Sequence, residues 1–329
     1  MKYYDLKNIK KKNKLFNFVI SPRSSGKTIS MKKEMVEIGK HGKKFVYIRR
    51  RGKEIESKKM DDFFTKLQKI GFYENDDLSF KKGSFFLNGN KIGDAVALST
   101  ANNVRSADFT DIEAVFFEEF IIKKDGIHDY LTDEVFKFFE LYETISRDTD
   151  VPVFFLGNMI HAFNPYFLFL DIIPPESGIK TWKDCAIEVW KNKSFIDDKK
   201  KTRFHKLISG SAYSEYSASN QSYEDNDAYI RPIPANAKPA FKVLTSSITL
   251  TFFVGRDGSV TVGENLPGNV PRFTTVKEKS QPDVPFVKHV RTTSPYLEYY
   301  ISCVKMNRVY TTSRKVDAAK KELDKALYF

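Results

Sequence analysis

Lys27 and Thr28 close a polar, turn-rich stretch, Ser21-Pro22-Arg23-Ser24-Ser25-Gly26-Lys27-Thr28, set between an apolar run and a helical pattern. A glycine, four residues and then Gly-Lys-Ser/Thr, after a strand and before a helix, is the pattern of a phosphate loop. Its chemistry rests on the backbone. Ser21, Arg23, Ser24, Ser25 and Gly26 would turn their amides toward the phosphates of ATP at a helix N-terminus. Lys27 would set its ammonium on the β- and γ-phosphates, and the Thr28 hydroxyl would ligate Mg²⁺. Gly26 would let the backbone come close without a Cβ. Ser21 departs from the pattern, because it stands where the first glycine belongs. A bare Gly-Lys-Thr is often only a turn; the flanking strand and helix favour the phosphate loop.

Phe116-Phe117-Glu118-Glu119 is a hydrophobic run ending in two acids. In a Walker-B arrangement the first acid, Glu118, would hold Mg²⁺ and the second, Glu119, would polarise the attacking water. Glu118 replaces the usual aspartate, which alters the reach by one methylene. Asn158 follows the next apolar run and could sense the γ-phosphate, although an asparagine in a turn is equally common. Arg147 and Arg105 could each act as an arginine finger on a neighbouring subunit's ATP; a solvated surface arginine is the ordinary alternative. Lys58, Lys59, the trio Arg49 to Arg51 and the cluster Lys199 to Arg203 could contact a nucleic-acid backbone, where charge runs otherwise form solvated faces. The five histidines lack metal-ligand spacing, and no GxSxG is present. The Asn-Lys-x-Asp base-reading motif is also missing, which favours ATP over GTP.

These residues need a parallel sheet to hold them. Residues 15–20, 45–48, 114–117 and 151–156 read as short buried strands, interleaved with a helix from the loop to about Lys40 and a second capped by Thr132, with Asp133 and Glu134 in its first turn. Val135, Phe138, Phe139, Tyr142 and Ile145 give that helix one apolar face. Asn88-Gly89-Asn90 marks a hairpin. The character changes near Asp197, and residues 209–228 read as linker. Ile248 to Val254, a Gly255-Arg256-Asp257-Gly258 turn and Ser259 to Val262 form a second hairpin, and an amphipathic helix carrying Val316, Ala319, Leu323, Ala326 and Leu327 closes the chain.

The composition bounds the rest. A chain of 329 residues suggests about two domains. The 54 Lys and Arg against 42 Asp and Glu leave a net charge of +12, which favours a polyanionic partner, although an AT-rich genome would also raise lysine. No apolar run approaches the roughly 20 residues of a bilayer span. Leu15 to Ile20 is too short for the core of a signal peptide. Cys185 and Cys303 lie far apart, which excludes a disulfide scaffold or zinc ribbon and suggests a reducing compartment.

The sequence resembles the DNA-packaging (encapsidation) ATPases of small tailed bacteriophages with protein-primed genomes, the salasmavirus type. The resemblance rests on Asn17-Phe18-Val19-Ile20 with its loop, Tyr47-Ile48-Arg49-Arg50, Phe117-Glu118-Glu119-Phe120, Asn164-Pro165-Tyr166-Phe167-Leu168-Phe169, Lys201-Thr202-Arg203-Phe204 and Asn220-Gln221. It covers about the first 225 residues well. It implies an α/β fold: a P-loop ASCE-type ATPase domain with a mostly parallel sheet (1–197), a small linker domain (198–228) and a C-terminal α+β RNase H-like domain (229–329). It further implies a pentameric ring on the portal (connector) of a prohead, with a packaging RNA as scaffold, driving double-stranded DNA inward with ATP and Mg²⁺. That places the protein in the host cytoplasm and transiently on the portal vertex. By position, Arg147 matches a trans-acting arginine finger and Arg105 a trans-acting basic residue. The acids after residue 229, Asp257, Glu264, Glu278, Asp283 and Glu298, are scattered, so no nuclease activity is expected. The alternatives are a P-loop nucleic-acid-binding protein without turnover and a small-molecule kinase.

Overall fold

The computed structural model describes residues 3–104, 109–122, 130–131, 133–158, 164–211, 214, 229–306 and 308–328. The chain falls into two compact units, one of Met1–His161 with Pro174–Tyr223, the other of Ala162–Ile173 with Glu224–Phe329. Residues 198–211, expected to begin a linker, group with the first unit; most of 212–228 lies outside the described residues.

The first unit is built on nine strands: β1 (Phe16–Ile20), β2 (Lys44–Arg49), β3 (Leu78–Lys81), β4 (Ser84–Leu87), β5 (Asn90–Ala97), β6 (Ile112–Glu118), β7 (Val153–Gly157), β8 (Gly178–Trp182) and β9 (Cys185–Val189). Their order is β3-β4-β5-β2-β6-β7-β1-β9-β8. From β5 through β9 the pairings are parallel, and antiparallel hairpins close both edges. The fold is thus mixed α/β with a large, mostly parallel sheet. The expected hairpin is present, with Asn88 and Gly89 both at positive φ (50° and 81°). β9 and β8 were not foreseen. Glu188 interrupts the apolar run of β9, yet all five residues of that strand are buried.

Aromatic side chains fill the layer beneath the helix Glu134–Ser146. Phe18 stacks on Phe155 at 4.4 Å, and Phe16 meets Phe138, Phe139 and Tyr142. The expected apolar face of that helix therefore packs on β1 and β7. Thr132 lies outside the described residues. Glu134, expected to act on the helix dipole, is instead buried in a bidentate pair with Arg50, at 2.7 and 2.9 Å. Arg50 also donates to the carbonyls of Glu119 and Phe120. This pair ties the end of β2 to the end of β6 and the start of the helix.

The second unit has a five-stranded sheet of order β13-β10-β11-β12-β14, from β10 (Lys238–Leu244), β11 (Thr249–Val254), β12 (Val260–Glu264), β13 (Arg272–Thr274) and β14 (Val309–Thr311). β10, β11 and β12 form an antiparallel meander; β13 and β14 add in parallel at opposite edges. The helix Arg314–Tyr328 covers it, and all five apolar residues expected on its inner face are buried. Within this unit Asn164 caps the helix Pro165–Phe169, its side chain accepting from the amides of Tyr166 and Phe167.

Removing one partner of a buried ion pair strands the other. Arg50→Ala or Glu134→Ala should each lower the unfolding free energy by about 3–5 kcal/mol in urea titrations. An apolar pair, Arg50→Met with Glu134→Leu, should recover much of that loss.

Candidate functional site

Parallel register places the C-terminal ends of β2, β6, β7, β1 and β9 along one edge of the sheet. Ile20 lies opposite Gly157 on one side and Val189 on the other, and Glu118 opposite Leu156. The next residues, Ser21, Asn158, Trp190 and Glu119, consequently form one row. Backbone bonds continue past the strands: Ser21 N donates to Gly157 O at 3.2 Å, Trp190 N to Ile20 O at 2.8 Å and Glu119 N to Leu156 O at 2.7 Å.

The loop leads from β1 into the helix Lys27–Lys40. Positive φ falls on Ser24 (64°) and Gly26 (96°), not on Ser21. The missing first glycine is therefore no obstacle, since Ser21 needs no left-handed backbone. Its hydroxyl is buried and shares a 2.6 Å hydrogen bond with Ser25 Oγ. Lys27 Nζ donates to Asn158 Oδ1 at 2.5 Å and to Ser21 O at 3.4 Å. Burial lowers its pKa from 10.5 to about 8, against the opposing pull of Glu118 and Glu119.

Thr28 Oγ1 donates to Glu118 Oε1 in a short hydrogen bond. The other oxygen of Glu118 accepts from Tyr47 OH at 2.8 Å and lies 3.4 Å from the Arg49 guanidinium. Arg49 also reaches Glu119 Oε2 and Glu54 Oε1, each at 2.6 Å. Glu119 takes a positive φ of 60°, which breaks the strand alternation immediately after Glu118 and lets both acids meet one arginine. A hydroxyl and a carboxylate in contact beside an anion cradle form a hard-oxygen set. That suits Mg²⁺, which keeps waters and takes one or two carboxylates. Among the described residues no group of three His, Cys, Asp or Glu side chains offers a denser metal site.

The sequence-derived candidates separate into groups. Ser21, Arg23, Ser24, Ser25, Gly26, Lys27, Thr28, Glu118, Glu119 and Asn158 belong to this edge. Arg147 ends the helix Glu134–Ser146, which runs back to the start of β7: Tyr142 there bonds Val151 O and packs on Phe16 at the start of β1. Arg147 is thus exposed at the opposite edge from the loop of its own chain. Arg105 lies outside the described residues. Lys58 and Lys59 are exposed on the short helix Ser57–Met60. Arg49 and Arg50, read as backbone-contact candidates, are instead committed to internal carboxylates, with side chains only 15% and 5% exposed. Lys199 donates to the Arg23 carbonyl at 2.5 Å rather than simply extending a surface charge run. Sequence reading missed Arg49, Tyr47 and Lys199 as parts of the site. The Tyr47-Ile48-Arg49 alternation at the end of β2 was the one available signal for the first two.

An α/β protein with a strand–loop–helix anion cradle at the C-terminal edge of a mostly parallel sheet is the class that this fold and site define. Comparison gives the particular family. The model of the Podovirus DNA encapsidation protein (Gp16) matches residues 1–292, and the chain belongs to that family. It is 29% identical to the DNA packaging protein of Bacillus phage B103 over 245 residues, 74% of this chain and 75% of that protein. It is 29% identical to the DNA packaging protein of Bacillus phage phi29 over 255 residues, 77% and 75% of the two chains. Its fold matches a chain of the bacteriophage phi29 viral genome packaging motor assembly with TM-score 0.75 and 24% identity, covering 99% of this chain and 100% of the other. The crystal structure of the N-terminal domain of the phi29 DNA packaging ATPase matches with TM-score 0.54 and 28% identity, over 59% of this chain and 98% of that domain.

The Lys27 ammonium gives a pH signature. Its pKa is about 8 in the fold against 10.5 for the free side chain. The unfolded chain therefore holds more protons between these values, and stability rises with pH there. The unfolding free energy of the wild type, measured relative to Lys27→Met, should climb between pH 8 and 10.5. A flat difference would mean that the ammonium sits in water.

Proposed function

We infer that this chain is an ATP-hydrolysing motor that moves double-stranded viral DNA into a preformed prohead. The observation that carries this reading is the row at the sheet edge, where Lys27 meets Asn158 and Thr28 meets Glu118 next to Glu119. Family membership adds DNA encapsidation. The placement of β7 between β1 and β6 fits an ASCE-type ATPase, which has an additional strand between its loop strand and its acid-bearing strand.

The loop amides and Lys27 bind the β- and γ-phosphates. Thr28 and Glu118 would hold Mg²⁺, which, when bound, neutralises phosphate charge. Asn158 exchanges its hydrogen bond with Lys27 for one with the γ-phosphate. Glu119 orients the attacking water and accepts its proton, so its ion pair with Arg49 must loosen before each turnover. Arg147 cannot serve its own loop from the opposite edge, so its role is on a neighbouring copy's ATP in a pentameric ring, with Arg105 as a second trans-acting residue. Lys58 and Lys59 contact the DNA backbone.

The ring binds the portal and a packaging RNA, and it works in the host cytoplasm, docked transiently on the prohead. In this reading residues 1–197 carry the ATPase function, 198–228 act as a linker even though 198–211 pack with the first unit, and 229–329 are a degenerate RNase H-like domain without cleavage, within the unit that also takes in residues 162–173. Two acids of the last domain support that: Asp257 bonds Ser259, and Glu264 pairs with Lys315.

Steady-state ATP hydrolysis, with and without double-stranded DNA and with and without proheads, tests the motor. DNA-stimulated turnover is expected; measurable ATP binding without turnover in any setting would leave only a phosphate-loop binding protein. Glu119→Gln should still bind ATP while hydrolysing it more slowly by a factor of about 10² to 10³. Arg147→Ala should keep ATP binding and lose turnover only in assembled motors; normal hydrolysis there would remove Arg147 from the reaction.

A further inference from the structure

Residues 3–6 lie across the phosphate loop. Tyr4 N donates to Ser25 O at 2.9 Å, and Leu6 N to Ser30 Oγ at 2.8 Å. Tyr4 is itself anchored: its hydroxyl donates to the buried Glu188 at 2.9 Å, and its ring meets Trp190 edge-on. Those bonds fix the position of Tyr3. Its ring carbons lie 3.3 to 3.4 Å from where a Cβ on Gly26 would stand, so the ring packs closely over that glycine, whose φ of 96° already disfavours a side chain. The Tyr3 ring meets Phe195 edge-on at 6.3 Å, yet Tyr3 is 58% exposed. Its neighbours in this aromatic group behave differently, since Phe195 is buried and Trp190 half-buried. A large aromatic ring, held by its backbone neighbours and well exposed beside a phosphate cradle, is suited to act as a stacking platform.

The direction of a bound nucleotide follows from the sheet order. Lys27 leans to Asn158 just past β7 and Thr28 to Glu118 at the end of β6, so the γ-phosphate end lies on the β6–β7 side. The nucleoside must then leave toward the other side of β1, which is β9 and the helix Lys193–Lys200. Tyr3, Phe195 and Lys199 stand on that side, and Lys199 reaches the loop through the Arg23 carbonyl.

We propose that Tyr3 is the base-stacking residue of this site: the base of a nucleoside triphosphate stacks on its ring, with Phe195 as the buried wall behind it. The proposal rests on the nucleotide reading of the loop and adds the subsite that tells a nucleotide from a bare polyphosphate. Stacking on an aromatic ring is worth roughly 1–3 kcal/mol per base, or about five- to 150-fold in affinity.

Calorimetric titration of the full chain with ATP and with inorganic tripolyphosphate, both with Mg²⁺, separates the possibilities. Tyr3→Ala should weaken ATP binding within that range and leave tripolyphosphate unchanged, while Tyr3→Phe should bind ATP like the wild type. Equal weakening of both ligands would make Tyr3 a support of the loop, and unchanged ATP affinity would remove it from the site; either result overturns the proposal. The tripolyphosphate arm also reports that the variant's loop is intact. Lys27→Ala should weaken both ligands. If it weakens neither, the phosphate-loop reading itself fails, an outcome distinct from a failure at Tyr3.

Discussion

β1 is paired without a shift to β7 on one side and β9 on the other, and every functional contact described above inherits that register. Parallel pairing aligns the ends of strands as well as their sides. Because the three strands stop level, the chain leaves them at one height, and polar residues that follow an apolar run become neighbours about 4.8 Å apart. A one-residue slip of β7 would carry Asn158 away from Lys27 and turn Phe155 off its stack on Phe18. The aromatic layer therefore fixes the polar row. Its rings contribute burial, and their shapes admit one register.

The protein carries a large positive excess, yet its inner charges are balanced closely. Arg50 is satisfied by Glu134 and two backbone carbonyls, and Arg49 by three carboxylates. Glu188 is buried against the Tyr4 hydroxyl, which donates to it, and burial raises its pKa. These groups are costly to bury and useful for position, because a buried charge tolerates few geometries. Arg50 locks the ends of β2 and β6 together, and Glu188 anchors the N-terminal segment over the loop. Lys27 differs: burial lowers its pKa to about 8, so it stays an ammonium at neutral pH, and its hydrogen bonds go to the uncharged Asn158 side chain and the Ser21 carbonyl. A site that binds phosphate must hold some unbalanced charge.

Much was legible in local sequence. The loop, the two acids and the strands β1, β2, β6 and β7 could be read because each is a short apolar run joined to a polar stop, and burial on both faces of a parallel sheet demands that pattern. The Asn-Gly hairpin and the final amphipathic helix were legible for similar reasons, one through the positive φ of its turn and the other through its periodicity. β9 was hidden by Glu188, whose charge argues against a buried strand until Tyr4 supplies its partner. The basic run at 49–51 misled for the converse reason: in sequence it is an exposed patch, and only the fold shows that its carboxylates stand up to 84 residues away.

By itself, then, the sequence determined the chemistry at hand: which side chains carry phosphate-binding, metal-binding and proton-accepting groups, and which segments are apolar enough to form the sheet. Tertiary structure decided which of those groups meet. Strand order set Asn158 between the loop and the acids, moved Arg147 to the far edge, and brought Arg49 onto both glutamates and Tyr3 beside Gly26. Local propensity cannot encode those choices, because each pairs residues far apart in the chain. Their proximity depends on the order and register in which whole strands bury their side chains.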